Sequence, residues 1–197
     1  MAKYLLLITL IGVLGLAVWI PAAPAAAGPL AHTYSIVARD PRTGEMGVAV
    51  QSHWFGVGTI VAWAEAGVGA VGTQSFVEPA YGPRGLELMR TGLSAPDALK
   101  ALLAADPAEA VRQVAFVDSQ GRVATHTGAR CVASAGHLAG AQFSVQANMM
   151  LNDAVVPAMR RAFEASSGPL AERLMAALEA AEAAGGDIRG RQAAAIL

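Results

Sequence analysis

The sequence HTYSIVARD, residues 32–40, opens the part of the chain that we expect to fold. Alternate residues of an extended strand point to opposite faces, so Thr33, Ser35 and Val37 would share one face. A threonine at the start of the first strand has a specific chemical use. If the chain is cut just before Thr33, this one residue supplies a hydroxyl nucleophile and an α-amine that acts as its base. The alternative is that Thr33 is only a β-branched residue that begins a strand, and residue chemistry alone favours that alternative.

Residues 1–27 have the pattern of a signal peptide. Lys3 gives a positive start, an apolar run extends over Tyr4–Ile20, and Ala25 and Ala27 are the small residues that signal peptidase accepts. An uncleaved membrane anchor is the rival interpretation, because the run lies at the short end of the roughly 17–25 residues that a spanning helix needs. Both interpretations predict an exported domain, and cleavage would make it periplasmic or secreted.

After the signal peptide we expect a linker at residues 28–32 and a single domain at residues 33–197. The last residues, Gln192–Leu197, look like the start of a strand, so we expect the natural sequence to continue beyond them. The net charge of −1 gives no electrostatic reason to expect a nucleic acid or an anionic membrane as partner. The one cysteine, Cys131, cannot form an intrachain disulfide, and we expect it to be a small buried hydrophobic residue.

The order of predicted elements is strands, two helices, strands, two helices and a final strand. Several strands are apolar on both faces, which is typical of strands that are covered on both sides. The sequence therefore predicts an α+β fold with four αββα layers, in which two mainly antiparallel sheets pack together between helix pairs. Strands are predicted at 33–39, 45–52, 59–64, 68–73, 113–117, 122–127, 143–148 and 192–197, and helices at 81–91, 95–105, 153–166 and 169–184.

Two other kinds of site fit the sequence poorly. Residues 67–72 match the dinucleotide-binding pattern G-x-G-x-x-G. That pattern must join a strand to a helix, whereas this stretch is itself strand-like. The four histidines lack metal-ligand spacing, so we predict neither a metal nor another cofactor.

Several motifs, in order along the chain, resemble the bacterial family catalogued as domain of unknown function 1028 (DUF1028), which is grouped with the N-terminal-nucleophile (Ntn) hydrolases. The resemblance covers residues 33 to the end. The motifs are TYSIVARDP (33–41), GVAVQS (47–52), GVGAVGTQ (67–74), YGPRGL (81–86), QANMM (146–150) and GGDIRGRQ (185–192).

This resemblance implies an Ntn-hydrolase-like αββα fold and hydrolysis of an amide bond. Members that begin Met-Thr-Phe-Ser would expose the threonine by loss of the methionine, and Thr33 matches that threonine. Here the sequence departs from the family pattern, because signal cleavage after Ala27 leaves residues 28–32 ahead of Thr33. A second cut is then needed before the amine is free. Ala147 stands where the family has glycine, and Asn148 is retained.

We interpret the domain as an exported amidohydrolase-like protein that cleaves a small-molecule or peptide amide. Thr33 would attack the carbonyl, and Asn148 and Gln74, which are polar residues in apolar strand context, would donate to the oxyanion. Asp187 and Arg189 would orient the amine or bind a substrate carboxylate. In the plainer interpretation, Asp187 is a turn residue and Arg189 a surface charge.

Two alternatives belong to other functional classes. The domain would be a non-catalytic binding module if the Ntn-like fold were kept and processing lost, with the aromatic loop His53–Phe55 and Trp63 as contact residues. The large apolar fraction of the sequence also suggests a role in subunit assembly, as a homo-oligomer.

Overall fold

The computed structural model describes residues 30–31 and 33–197 of the chain. The signal peptide that we assign to residues 1–27 lies outside the described residues, as do residues 28, 29 and 32 of the linker. Ten strands are described: β1 Leu30–Ala31, β2 Thr33–Arg39, β3 Met46–Ser52, β4 Ala62–Glu65, β5 Gly69–Phe76, β6 Arg112–Asp118, β7 Val123–Thr127, β8 Gly136–Gly140, β9 Phe143–Ala147 and β10 Ala193–Ile196. The five α-helices are α1 Gly58–Val61, α2 Tyr81–Arg90, α3 Ala95–Ala105, α4 Val155–Ala165 and α5 Leu170–Ala183.

The strands form two antiparallel sheets. One sheet, called the β5 sheet here, has the order β1-β5-β6-β7, with β4 paired to β5 as well. The other, called the β2 sheet, has the order β10-β3-β2-β9-β8. The register of β2 places Thr33 opposite Ser52 of β3 and Tyr34 opposite Ala147 of β9. Two mainly antiparallel sheets in an α+β fold were predicted, and that prediction is confirmed.

The two sheets pack face to face through small aliphatic side chains. Val37, Val48 and Val50 from the β2 sheet form one buried cluster with Ala115 and Val117 from the β5 sheet. Side chains of this size allow close approach of the sheets, and their burial removes apolar surface from water.

A pair of helices covers the outer face of each sheet. Ile36 and Val145 of the β2 sheet share a buried cluster with Met159 of α4 and Leu174 of α5. On the other side, Phe116 of the β5 sheet belongs to a cluster with side chains from α2 and α3. The order of layers is therefore helices, sheet, sheet, helices.

Local signals explain how the helices on the β5 sheet are placed. The Ser94 side chain caps α3 by accepting a hydrogen bond from the backbone N–H of Asp97 at 3.1 Å. Helix α2 carries Gly82 and Gly85 where a Cβ atom would lie 2.2 Å from the Trp63 ring and 2.4 Å from the Phe116 ring. Glycine at these two positions lets the helix lie against the aromatic rings.

Four local predictions need correction. The strand predicted over 59–64 is partly wrong, because Gly58–Val61 forms the short helix α1 before β4 begins. Strand β8 lies in a stretch for which no strand was predicted, and β1 lies within the predicted linker. Cys131 is half-buried rather than buried. In the described part of the chain, no helix has the length and apolar character needed to cross a membrane.

Candidate active site

One end of the space between the sheets is lined by polar side chains instead of valines. Residues i and i+2 of a strand share a face, so the inward face of β2 carries Thr33, Ser35 and Val37 in succession. Val37 belongs to the apolar cluster and the two hydroxyl residues mark its polar end. Seven side chains at this end have no exposed surface: Thr33, Ser35, Ser52, Gln74, Gln113, Gln146 and Asn148.

Thr33 is held at both its side chain and its carbonyl. Its Oγ1 donates a hydrogen bond to Oγ of Ser52 at 3.0 Å. Its carbonyl oxygen accepts from Nε2 of Gln74 at 3.0 Å and from the backbone N–H of Asn148 at 3.1 Å. Nδ2 of Asn148 lies 3.5 Å from the same oxygen. The structure therefore brings together three of the predicted site residues, Thr33, Gln74 and Asn148.

Gln113 connects the two amide side chains that contact Thr33. Its Oε1 accepts from Nε2 of Gln74 at 2.7 Å and from Nδ2 of Asn148 at 3.0 Å. Its Nε2 donates to the carbonyl oxygens of Ala147 at 2.9 Å and Gly136 at 3.1 Å. Because both of those partners are acceptors only, they fix which end of the Gln113 amide is nitrogen.

A second set of bonds crosses the sheets beside Thr33. Oγ of Ser35 donates to Oε1 of Gln74 at 2.7 Å and accepts from Nε2 of Gln146 at 3.1 Å. Nε2 of Gln146 also donates to the carbonyl of Gly72 at 3.0 Å. Sequence reasoning missed Ser52, Gln113 and Gln146, although the signal that selected Gln74, a polar residue in an apolar strand, is present at Gln113 and Gln146 too.

The amide hydrogens of Gln74 and Asn148 are already used in this network. The Nε2 group of Gln74 has two hydrogens and two acceptors, Thr33 O and Gln113 Oε1. The Nδ2 group of Asn148 faces the same two oxygens. In this form of the protein both amides therefore position Thr33, and donation to a substrate oxygen would require one of these bonds to be exchanged. Oδ1 of Asn148 is buried without a hydrogen-bond partner among the described residues.

Asp187 and Arg189 lie next to this cluster and form an ion pair with each other. The Asp187 carboxylate has no exposed surface and accepts from NH2 of Arg189 at 2.6 Å. It also accepts from the backbone N–H of His53, the residue after Ser52, at 3.3 Å. Asp187 thus reaches Thr33 only indirectly, through β3. It has the turn-residue role as well, because its Oδ1 accepts from the backbone N–H of Arg189 at 2.8 Å.

A hydroxyl–imidazole pair lies on the far side of Gln113. Oγ1 of Thr127 is 2.8 Å from Nδ1 of His137 and accepts from Nε2 of Gln113 at 2.9 Å. Burial, and then the neighbouring His126, lower the pKa of His137 below its ordinary value.

Burial also raises the pKa of the Cys131 thiol, which disfavours the reactive thiolate. Within the described ranges, no group of three or more His, Cys, Asp or Glu side chains is placed to hold a metal ion.

The residues just before Thr33 belong to the opposite sheet. Leu30 pairs with Phe76 and Ala31 pairs with Ser75, so β1 is antiparallel to β5, whereas Thr33 begins a strand of the β2 sheet. The chain therefore crosses from one sheet to the other between Ala31 and Thr33. With this connection intact, the nitrogen of Thr33 is part of a peptide bond and cannot act as a base.

Comparisons with known proteins give a family and a related structure. A family model described as "Family of unknown function (DUF1028)" matches residues 33–197. A crystal structure of protein SPO2555 from Silicibacter pomeroyi, which is also described as DUF1028, is 34% identical in sequence and superposes with a TM-score of 0.79. The match covers 84% of this chain and 72% of that one. No curated protein matches the chain.

Proposed function

The chain belongs to the DUF1028 family, and from that premise we propose that it is an exported amidohydrolase-like protein in which Thr33, once it is the first residue, acts as nucleophile. The fold that goes with this proposal is the Ntn-hydrolase fold. The export rests on the signal-peptide pattern of residues 1–27. The reaction is hydrolysis of a carbon–nitrogen amide bond without a cofactor.

One observation carries the proposal. Thr33 lies at the first position of β2, and six uncharged polar side chains converge on it and on its neighbours in a space closed to solvent. Uncharged donors in a buried site stabilise an oxyanion, and here Gln74 or Asn148 would do so after exchanging one of its present bonds. A valine at position 33 would start a strand equally well and would keep the bonds to the carbonyl, so the bond from Oγ1 to Oγ of Ser52 is the contact that needs threonine.

The chemistry then needs only the groups of Thr33 itself. A free α-amine has a pKa of about 7.7–8.0, so it is partly neutral near neutral pH and accepts the proton of the Thr33 hydroxyl. Oγ1 forms a bond to the substrate carbonyl carbon, the carbon–nitrogen bond breaks, and the proton passes to the leaving nitrogen. A water molecule then hydrolyses the ester, releasing a carboxylic acid and restoring the hydroxyl.

Other residues of the site have positioning roles in this proposal. Gln74 and Asn148 fix the carbonyl of Thr33, and Gln113 holds their two amides, so that the Thr33 amine and hydroxyl start from one geometry. Asn148 and Gln74 would donate to the oxyanion after exchanging a bond. The Asp187–Arg189 pair holds the loop after β3 in place and would orient the amine or a substrate carboxylate.

Intact mass and N-terminal sequencing of the exported protein test the proposal. We expect a mature N-terminus at Thr33 and amidase turnover, which Thr33→Ala should abolish and Thr33→Ser should retain in part. Circular dichroism of the alanine variant should match that of the native protein, since the hydroxyl makes one hydrogen bond. Turnover by a protein that still carries residues 28–32, or by Thr33→Ala, would exclude Thr33 as the nucleophile.

A non-catalytic binding module is the second candidate, and the connection through β1 favours it for the uncut chain. Its contact surface would be the exposed apolar side chains near this end: Phe55 is 87%, Leu151 63% and Ile188 55% exposed. Backbone bonds bring two of their loops together, because the N–H of Leu151 donates to the carbonyl of Gly186 at 3.0 Å. Trp63 is less suited, since it packs with α2. A stable, unprocessed N-terminus at Gly28 would support this candidate.

A further inference from the structure

We propose that β1 occupies the place of an extended peptide substrate, and that the edge of β5 at Ser75–Phe76 binds the backbone of that peptide once β1 has been cut away. This inference rests on the proposed function and deepens it. It names the substrate as a peptide that is recognised, on the amino side of the cleaved bond, by strand pairing.

The edge of β5 is divided between two partners. On one side β5 pairs with β6 from Gly69 to Ser75. On the other side β4 pairs only with Gly69–Gly72, and β1 pairs with Ser75 and Phe76. If β1 leaves, none of the strands in the described part of the chain pairs with this side of β5 beyond Gly72. Unpaired N–H and C=O groups at a sheet edge are a template for an added strand.

The direction of β1 brings a bound peptide to Thr33. β1 runs antiparallel to β5, and one residue separates its last residue, Ala31, from Thr33. Its partner Ser75 follows Gln74, whose Nε2 donates to the carbonyl of Thr33 at 3.0 Å. In the uncut chain the residue after Ala31 is bonded directly to Thr33, so a peptide in the register of β1 would bring its next carbonyl to the vicinity of Thr33. That carbonyl is the one the nucleophile would attack.

The backbone of Ser75 is unusual at this same position. Ser75 has a φ of +72°, in the left-handed region, although it is a buried non-glycine residue within a strand. Such a conformation is unfavourable for a residue other than glycine and is concentrated at sites that clamp a ligand. The strained residue is the one that pairs with Ala31, so the strain lies where the substrate backbone would bind.

The test separates peptide binding from turnover. In a full-length chain, residues 29–32 are replaced by the recognition sequence of a site-specific protease that cuts just before position 33, and the folded protein is cut. Thr33→Ala removes turnover, and fluorescence anisotropy measures the binding of a labelled Gly-Pro-Leu-Ala-His peptide. We expect binding to the cut protein and at least about tenfold weaker binding to the uncut protein, which is the matched control.

A backbone-modified peptide supplies the second arm. N-methylation at the Leu and Ala positions removes both N–H donors while keeping the side chains, and in an antiparallel pair one of these two donors faces β5. Its loss should weaken binding roughly two- to tenfold. Equal binding of the methylated peptide, or no binding to the cut protein, would overturn the inference. If the cut protein with Thr33 hydrolyses amides without binding this peptide, the proposed function stands and the inference fails. If the cut protein with Thr33 binds the peptide but hydrolyses no amide, the inference stands and the proposed function fails.

Discussion

Gln113 lies at the centre of the hydrogen-bond network at the polar end of the space between the sheets. Its side chain accepts from Gln74 and Asn148 and donates to the carbonyl of Ala147. We predict that Gln113→Leu lowers the free energy of unfolding by roughly 3 kcal/mol or more, because each buried group left without a partner costs about 1–3 kcal/mol. Urea denaturation measures this loss. Gln120→Leu, at an exposed position, is the control and should change stability by less than about 0.5 kcal/mol.

The site residues show which features of the site can be predicted from the sequence and which cannot. Thr33, Gln74 and Asn148 were predicted from chemistry, from strand context and from the family resemblance, and they do lie together. Gln113 has the same strand context as Gln74, yet nothing in the sequence indicates that its amide lies between the other two. That proximity depends on how the two sheets pack, and packing across sheets leaves no local pattern. If Gln113→Leu and the control Gln120→Leu lowered the free energy of unfolding by similar amounts, the central role of Gln113 would be contradicted.

His137 gives the protein a pH dependence whose sign follows from its lowered pKa. Burial disfavours the charged imidazole, so between its folded pKa and its ordinary value of about 6.5 the unfolded chain binds more protons than the folded one. Stability should therefore be fully present above pH ~6.5 and fall as the pH drops towards the folded pKa. We predict that His137→Asn reduces this slope. Thermal unfolding at a series of pH values from neutral to mildly acidic measures it, and an unchanged slope would assign the acid sensitivity to other groups.

At the scale of elements, helix α2 depends on glycine to lie against the β5 sheet. A Cβ atom at Gly82 would come within 2.2 Å of the Trp63 ring, whereas at Gly136 on β8 nothing lies within 4 Å. We predict that Gly82→Ala destabilises the protein by about 1–3 kcal/mol through overpacking, despite alanine's better helix propensity. Gly136→Ala should be within about 0.5 kcal/mol of the native protein. Guanidinium denaturation compares the two, and equal losses would exclude the contact with Trp63 as the cause.

Most elements were predictable because their signals are local. Alternating apolar residues mark β2 and β3, and Ser94 with Asp97 marks the start of α3. The elements that were predicted wrongly are short, and their conformation depends on contacts with neighbouring elements. The residues of α1 read as a strand because Thr59, Ile60 and Val61 are β-branched, and a single turn of helix contains no full period. β1 has two residues, and only its pairing with β5 makes it a strand.

At the scale of the whole molecule, the two sheets enclose a space whose two ends differ. Towards one end the facing side chains are valines and alanines, which stabilise by burial. Towards the other, hydroxyls and amides satisfy one another across the sheets, and this is where the chain passes from β1 into β2. A polar network of this kind is stable only while nearly every member is paired. The polar end therefore depends on the packed apolar end, and β1 is joined to the β5 sheet by two paired residues.

The difference in pairing between β2 and β1 predicts which of the two strands opens more easily in the folded protein. β2 lies between β3 and β9, with Ile36–Ala38 paired on both sides and buried, so we expect these amides to exchange hydrogen only through global unfolding. β1 has two paired residues, so its amides should exchange by local opening with a much smaller free energy. Hydrogen exchange followed residue by residue by NMR, at several low denaturant concentrations, measures both values in protein that retains residues 28–32. If the β1 amides were as well protected as those of β2, β1 would be part of the cooperative core, and a peptide could not take its place without unfolding the domain.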